Sequence, residues 1–258
     1  MVAVIATLRP LLTLSTRPGS SSPRRMPRTG PARIAPMELD DVMRTTFACR
    51  EFTDEPVPDE ALYKILDVAR FAPSGGNRQG HGVIVVRDRE VRRQLAELCK
   101  TPMAVYMAQV QAGEAPWNTV IPSRVDPEEA GRWTLRSAFL DSLVDVPVLL
   151  VVYVDLSVVA SFDRDLDRVG VISGASVYPF VQNILLAARN EGYGGVITTS
   201  IANREPEAQT LLGLPRHAAV CALIPLGRPV KQLTKLRRRK VEEFTTIDRL
   251  DGARFMAS

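Results

Sequence analysis

The residues best equipped for chemistry in this 258-residue chain are polar groups set against apolar elements. Arg50 follows the first helix. Ser74, Asn77, Arg78 and Gln79 lie in the loop Pro73-Ser-Gly-Gly-Asn-Arg-Gln-Gly80, just before an apolar strand. Gln182 and Asn183 interrupt an otherwise apolar helix, Thr198, Thr199 and Ser200 end a strand, and Arg237, Arg238 and Arg239 sit near the C-terminus. Taken singly, each has an ordinary structural role: a Ser/Gly/Asn loop makes a turn, and an arginine run forms a solvated face. Together they suit a ligand with a phosphate, a polyol and a flat heterocycle with amide edges. Arginines and backbone N–H groups bind phosphate. Ser and Asn side chains bind hydroxyls, and Asn or Gln matches alternating C=O and N–H groups with its own acceptor and donors.

The commoner chemistries fail on spacing. Gly192-Tyr193-Gly194-Gly195 is not GxGxxG and lies between a helix and a strand, the reverse of a dinucleotide fingerprint, where the helix N-terminus holds the pyrophosphate. No GxxxxGK[ST] exists, and Gly174-Ala-Ser-Val-Tyr178 is not GxSxG, so kinase and hydrolase readings fall. Three cysteines (Cys49, Cys99, Cys221) and two histidines (His81, His217) make no CxxC or HxxxH, which argues against structural zinc. Each cysteine falls in an apolar pattern, where a buried structural thiol is expected. Scattered unpaired thiols suit a reducing cytoplasm, so a cytoplasmic location is expected. The longest apolar run, Val146 to Val154, has nine residues, less than half a membrane span, so no membrane partner is expected.

Charge separates by segment. Residues 1–36 hold six arginines and no acid, so the formal net charge of +4 leaves −2 on the remainder. The sequence pI of about 9.1 therefore belongs to the leader, and it makes a weak case for nucleic acid. The leader also carries six of the nineteen prolines and reads as a disordered extension, or as an over-long start with Met37 the true beginning. Its composition also fits an organellar transit peptide.

From Met37 the pattern becomes regular. Leu62, Ile65, Leu66 and Ala69 form one face of a helix opened by Pro58 and Asp59. Val83 to Val86 reads as a strand, followed by a helix that Asp88 caps and that carries Val91, Leu95 and Leu98 on one face. Residues 101–135 read as irregular, and Pro147 to Val154 as a strand buried on both faces. A long helix is expected over 174–190, closed by Gly192, then strand 195–199, helix 206–212 and strand 219–226. The alternation is irregular and without repeats, giving an α+β or α/β sandwich around one core.

Four motifs in order resemble the nitroreductase family of FMN-dependent oxidoreductases. Thr46-Phe-Ala-Cys-Arg50-Glu-Phe52 is similar to the family's Arg-x-Ser-x-Arg/Lys-x-Phe. Ala72-Pro-Ser-Gly-Gly-Asn-Arg-Gln79 is close to Ala-Pro-Ser-x-x-Asn-x-Gln. The third runs from Gln182-Asn183 to Gly192-Tyr-Gly194. The fourth joins Leu226-Gly-Arg-Pro229 to Arg238-Arg-Lys-Val-Glu-Glu243. The resemblance covers residues 37–246, leaving 1–36 as leader and 247–258 as a C-terminal tail. It implies an α+β, three-layer α-β-α sandwich with a mainly antiparallel central sheet, assembled as a homodimer with FMN at the interface. Carried over by position, Arg50 matches the cation at the flavin N1–C2=O edge, where negative charge develops on reduction. Ser74, Asn77 and Gln79 match residues around the ribityl chain and ring, Thr198 and Thr199 the segment beside N5, and Arg238 a phosphate ligand. Ala175 to Tyr178 match the part contributed by the second subunit.

The chain departs from the pattern where Thr46 replaces a phosphate-binding arginine and Ala48 a serine. Micromolar retention of FMN takes about 8 kcal/mol, and one charged hydrogen bond supplies about 1.5–3, so one lost arginine weakens retention without abolishing it. Arg237, beside Arg238, is the expected substitute, with Arg44 and Arg239 as alternatives. His81 replaces a common tryptophan and reads either as a surface loop histidine or as a neighbour of the ring.

The resemblance implies a two-step, ping-pong reaction. NADH or NADPH gives hydride to FMN and leaves, and a small acceptor (a nitroaromatic, a quinone or similar) takes the electrons. No amino-acid acid or base is required, matching the missing triad. Residues 101–135, with Tyr106, Met107 and Trp117, are expected to form the acceptor pocket. Rival readings are an FMN-sequestering protein without turnover, a flavin-destroying or dehalogenating branch of the same family, and DNA binding through Arg228 to Lys240, which predicts steep salt dependence.

Overall fold

The computed structural model describes residues 37–256; the leader falls outside the described residues. Helix α1 (Leu39–Thr45) is followed by α2 (Asp59–Ala69), whose buried Leu62, Ile65 and Ala69 recur at helical spacing. Strand β1 (His81–Val86) leads into α3 (Arg89–Gln111), where the Asp88 side chain caps the Val91 N–H at 2.9 Å. Two short helices, α4 (Pro127–Gly131) and α5 (Ala138–Ser142), precede β2 (Val148–Asp155). Then come α6 (Tyr178–Asn190), β3 (Gly194–Gly195), α7 (Glu205–Leu212) and β4 (Ala218–Gly227).

The four strands form one antiparallel sheet in the order β1-β2-β4-β3. Alternation on β2 splits the core. Val148, Leu150, Val152 and Val154 pack with Ile65 of α2 and Ile184 of α6, while Leu149 and Val151 pack with Leu95 and Cys99 of α3 and Ala208 of α7. Helices therefore cover both faces, giving three layers, α-β-α. Along β4, Val152 is paired with Ala222 but Tyr153 with Val220. Cys221 is the extra residue of a bulge there, and it lets Ala219, Cys221 and Ala222 all reach the α2–α6 side.

Three elements differ from the sequence reading. The stretch 101–135 is not irregular throughout: α3 continues to Gln111 through a buried Pro102, and α4 follows. Proline removes one helical hydrogen bond, but Ala104, Val105 and Ala108 bury the same face and carry the helix on. The helix expected from residue 174 begins at Tyr178, with Pro179 in its first turn. Ile172–Ser176 forms a separate 3-10 turn. The strand expected over 195–199 is broken. Only Gly194 and Gly195 join the ladder, and Thr198 rejoins by exchanging two hydrogen bonds with Leu223, at 3.0 and 2.9 Å. Gly192 takes the left-handed φ of 79° that closing α6 requires. Beyond the 3-10 turn Val241–Glu243, residues 245–255 double back, with Thr246 bridged to Arg254.

No helix among the described residues is long and apolar enough to cross a membrane. Cys49, Cys99 and Cys221 are all free and buried.

Candidate functional site

Of the seven predicted ligand residues, Arg50 and the Ser74, Asn77 and Gln79 group lie at opposite ends of the sheet. Thr198 pairs with Leu223, opposite the middle of β2, with Thr199 next to it. Arg238 makes no contact among the described residues that places it at either end. Arg50 belongs to the end where Ala48 bridges Gly195, the Cys49 N–H donates to the Gly195 carbonyl at 3.0 Å, and Gly195 pairs with Leu226, itself opposite Val148. The loop Ser74–Gln79 belongs to the other end, just before His81, which pairs with Val154. The Asp155 N–H donates to the Gly80 carbonyl there, at 2.8 Å. Six residues of β2 separate Val148 from Val154, about 20 Å at roughly 3.3 Å per residue. No hydrogen bond or ion pair among the described residues joins the two sets.

At the first end, Arg50 is exposed and unpaired by any carboxylate among the described residues. Its Nη1 reaches the Ala48 carbonyl at 3.4 Å, and its guanidinium lies 5.7 Å from the Phe139 ring centroid. It stands between two cavities. The larger, about 500 Å³, is also lined by Phe52, Phe139, Asp145 and Pro147. The smaller, about 270 Å³, is lined by Phe47, Ala48, Lys231 and Leu233. Thr198 and Thr199 stand three and four residues beyond Gly195 and line neither cavity. Arg238 is exposed, and its Nη1 donates to the Arg237 carbonyl at 2.7 Å. Cys49, beside Arg50, has its thiol pushed up chiefly by burial.

At the second end the loop is held in an unusual backbone conformation. Gly76, Asn77 and Gln79 all have positive φ, at 62°, 53° and 50°, a conformation rare outside glycine. Ser74 Oγ accepts the Gln79 N–H at 2.9 Å, and Ser176 Oγ accepts the Gly75 N–H at 3.2 Å. Asn77 and Gln79 present their side chains outward. Strained, over-determined loops of this kind cluster at ligand sites. Ser176 thereby ties the segment Ala175 to Tyr178 to this loop.

His81 is not a surface loop residue. Its ring stacks on Phe180, centroids 4.1 Å apart and 19° between planes, and its Nδ1 is buried without a partner among the described residues. Burial holds it below the ordinary histidine value, with the Ser176 backbone acting against that shift. Gln182 is exposed on α6, and Asn183 Nδ2 reaches the Ala69 carbonyl at 3.5 Å, so Asn183 joins α6 to α2. The Thr46 hydroxyl donates to the Val42 carbonyl at 2.7 Å and takes up none of the work of the missing arginine.

The geometry adds two residues that motif reading passed over. Lys231 was legible only as one of seven cations in Arg228 to Lys240, and the fold sets it in the smaller cavity with Arg50. Ser176 carried no signal beyond its neighbourhood. Among the described residues no cluster of three or more His, Cys, Asp or Glu side chains offers a metal site.

The scaffold is thus an antiparallel sheet between helical layers, with a cation unpaired by any carboxylate among the described residues at one end and a strained Ser/Asn loop at the other. The model of the nitroreductase family matches residues 43–228, and the chain belongs to that family. It is 28% identical over 203 residues to an iodotyrosine deiodinase of Thermotoga neapolitana, covering 79% of this chain and 95% of that one. It is 29% identical over 194 residues to an NADH dehydrogenase of Thermus thermophilus, covering 71% and 82%. Among solved structures, an oxidized iodotyrosine deiodinase bound to FMN and 3-iodo-L-tyrosine superposes with a TM-score of 0.57 at 25% identity, covering 79% of this chain and 96% of that one.

Proposed function

We propose that the protein is an FMN-dependent oxidoreductase that works as a homodimer, taking hydride from NAD(P)H and reducing a small acceptor. The observation that carries this reading is the separation of the two residue sets. The strand ends beside Arg50 and beside the Ser74–Gln79 loop lie about 20 Å apart along β2, and in this reading two copies bring opposite sheet ends to one flavin. Arg50 supplies a fixed cation beside a cavity of about 500 Å³, within the range of cofactor pockets. Lys231 and Arg238 supply positive charge at the phosphate end. Ser74, Asn77 and Gln79 of the partner copy close the site; the resemblance sets the Thr198–Thr199 backbone beside the ring, although neither residue lines the cavities at Arg50.

FMN, held by these residues, would supply the redox chemistry: hydride acceptance from NADH or NADPH and electron delivery to a nitroaromatic, quinone or similar acceptor in two half-reactions. The chain's task is to bind, orient and bias charge. Arg50 favours negative charge on the ligand edge it faces, and the preset loop around Asn77 lowers the ordering cost of binding. No side-chain acid or base is assigned.

A dehalogenating activity is the second reading, favoured by similarity to the iodotyrosine deiodinases. The deciding experiment begins with the absorption spectrum and oligomeric mass of protein supplemented with FMN. Yellow protein at twice the 28.4 kDa chain mass, bleached anaerobically by NADH or NADPH, supports the proposal. Colourless, monomeric protein sinks it, and yellow protein that neither cofactor bleaches indicates sequestration. Iodide release from 3-iodo-L-tyrosine by reduced protein selects the second reading.

A further inference from the structure

The segment between β2 and α6 is held by a carboxylate that the redox reading leaves unused. Asp163 is 3% exposed, the one buried residue between 160 and 172. Its Oδ2 accepts the Val171 N–H at 2.7 Å and the Ile172 N–H at 3.3 Å, and it pairs with Arg168 Nη1 at 2.8 Å. Its Oδ1 is buried with no partner among the described residues. Burying half of a carboxylate unsatisfied is costly, and these bonds, Val171 first, hold the acid below the ordinary carboxylate value.

What this anchor holds is the 3-10 turn Ile172–Ser176. The far end of the turn carries Ser176, 7% exposed, whose Oγ accepts the Gly75 N–H. Gly75 opens the short turn that carries Asn77 and leads to Gln79. One five-residue turn thus runs from the buried carboxylate to the strained loop.

We infer that Asp163 is a positioning residue for the flavin-side loop, acting through Ile172–Ser176 and Ser176 Oγ to set where Ser74, Asn77 and Gln79 stand. The inference rests on the FMN reading. The sheet core does not depend on Asp163, because residues 160–172 contribute nothing to either main cluster.

The test is FMN affinity by flavin-fluorescence titration, with melting temperature, for Asp163→Ala, Asp163→Asn, Ser176→Ala and the double Asp163→Ala/Ser176→Ala. Asp163→Ala is expected to weaken binding about tenfold, the size of one good neutral hydrogen bond. Asp163→Asn recovers part of the loss, since its amide oxygen still accepts from Val171. The double variant loses little more than the worse single, because both break one connection. Wild-type affinity in folded Asp163→Ala overturns the inference, as do losses that multiply in the double. Where Asp163→Ala does not fold, unchanged affinity in Ser176→Ala overturns it. Colourless wild-type protein defeats the FMN reading together with this one; yellow wild-type protein with an unaffected Asp163→Ala defeats this one alone.

Discussion

Replacing Arg50 by alanine separates binding from folding more cleanly than any other single change. In the free chain the guanidinium makes one long contact to a carbonyl at 3.4 Å and lies 5.7 Å from an aromatic centroid. An exposed cation–π contact contributes about 0.5–1 kcal/mol, and a hydrogen bond of that length adds little. At roughly 2–4 °C per kcal/mol for a domain of this size, the melting temperature falls by no more than about 4 °C. A charged hydrogen bond to a bound flavin is worth about 1.5–3 kcal/mol, which is about 10- to 150-fold in affinity. Flavin-fluorescence titration against Arg50→Ala and Arg50→Lys, with thermal melts of both, measures the two effects. Lysine keeps the charge and loses less. If Arg50→Ala binds FMN within about twofold of wild type, Arg50 does not face the flavin and the reasoning fails. If it melts more than about 10 °C lower, the residue is structural.

Lys231→Ala is expected to weaken FMN but not riboflavin, which lacks the phosphate; equal losses for both refute a phosphate role for Lys231. Gly195→Ala places a Cβ against Leu226 and 2.8 Å from the Pro225 carbonyl oxygen. Overpacking of that kind costs about 1–3 kcal/mol, so a calorimetric melt falls by roughly 2–12 °C; an unchanged melt would mean the close approach is not real. Burial raises the Cys99 and Cys221 thiols from an ordinary 9.0 to about 11. Both therefore stay protonated at pH 8, and a thiol reagent should label them only on unfolding. Because the native values are raised, no stability is lost below pH 9. Above it the unfolded thiols ionise first, so denaturant midpoints fall as pH climbs from 9 toward 11. A midpoint that rises in that window contradicts the burial of both groups.

The sequence carried the fold where periodicity and punctuation agreed. The spacing of Leu62, Ile65 and Ala69, the Asp88 cap and the continuous apolar run of β2 each appear where residue chemistry sets them. It misled where a local breaker was overruled. Pro102 ends a helix by propensity, yet buried neighbours on both sides carry α3 through it. The opposite happened before α6, where an apolar stretch looked helical from residue 174 but Pro179 set a later start and left a 3-10 turn. The family was legible through four short motifs, which also nominated the candidate site residues. Their separation was not, because it follows from strand pairing between residues far apart in sequence. His81 shows the same gap: polar in type and loop-adjacent, it is drawn inward by a ring 99 positions away in sequence.

On the FMN reading, the segment around Thr46 is where a family motif fails in part while its chemistry can be supplied from elsewhere. A phosphate needs positive charge and N–H donors at close range, and position 46 offers neither. The Thr46 hydroxyl is spent on the Val42 carbonyl, and the neighbouring Arg189 Nε is committed to Thr45 Oγ1 at 3.0 Å. What the fold offers instead comes from the far end of the chain. Gln232 Nε2 donates to the Thr45 carbonyl at 2.9 Å, which pins the segment after β4 against the end of α1. With the Val230 N–H donating to the Glu51 carbonyl at 3.1 Å and the Phe52–Pro229 bridge, this bond sets Lys231 beside Phe47 and Ala48, next to Thr46. A lysine is a compact, mobile point charge where arginine is a rigid bidentate fork. On the FMN reading, the exchange would keep attraction for a dianion and give up orientation, leaving the strained loop around Asn77 and the cation at Arg50 to set the angle of the ring.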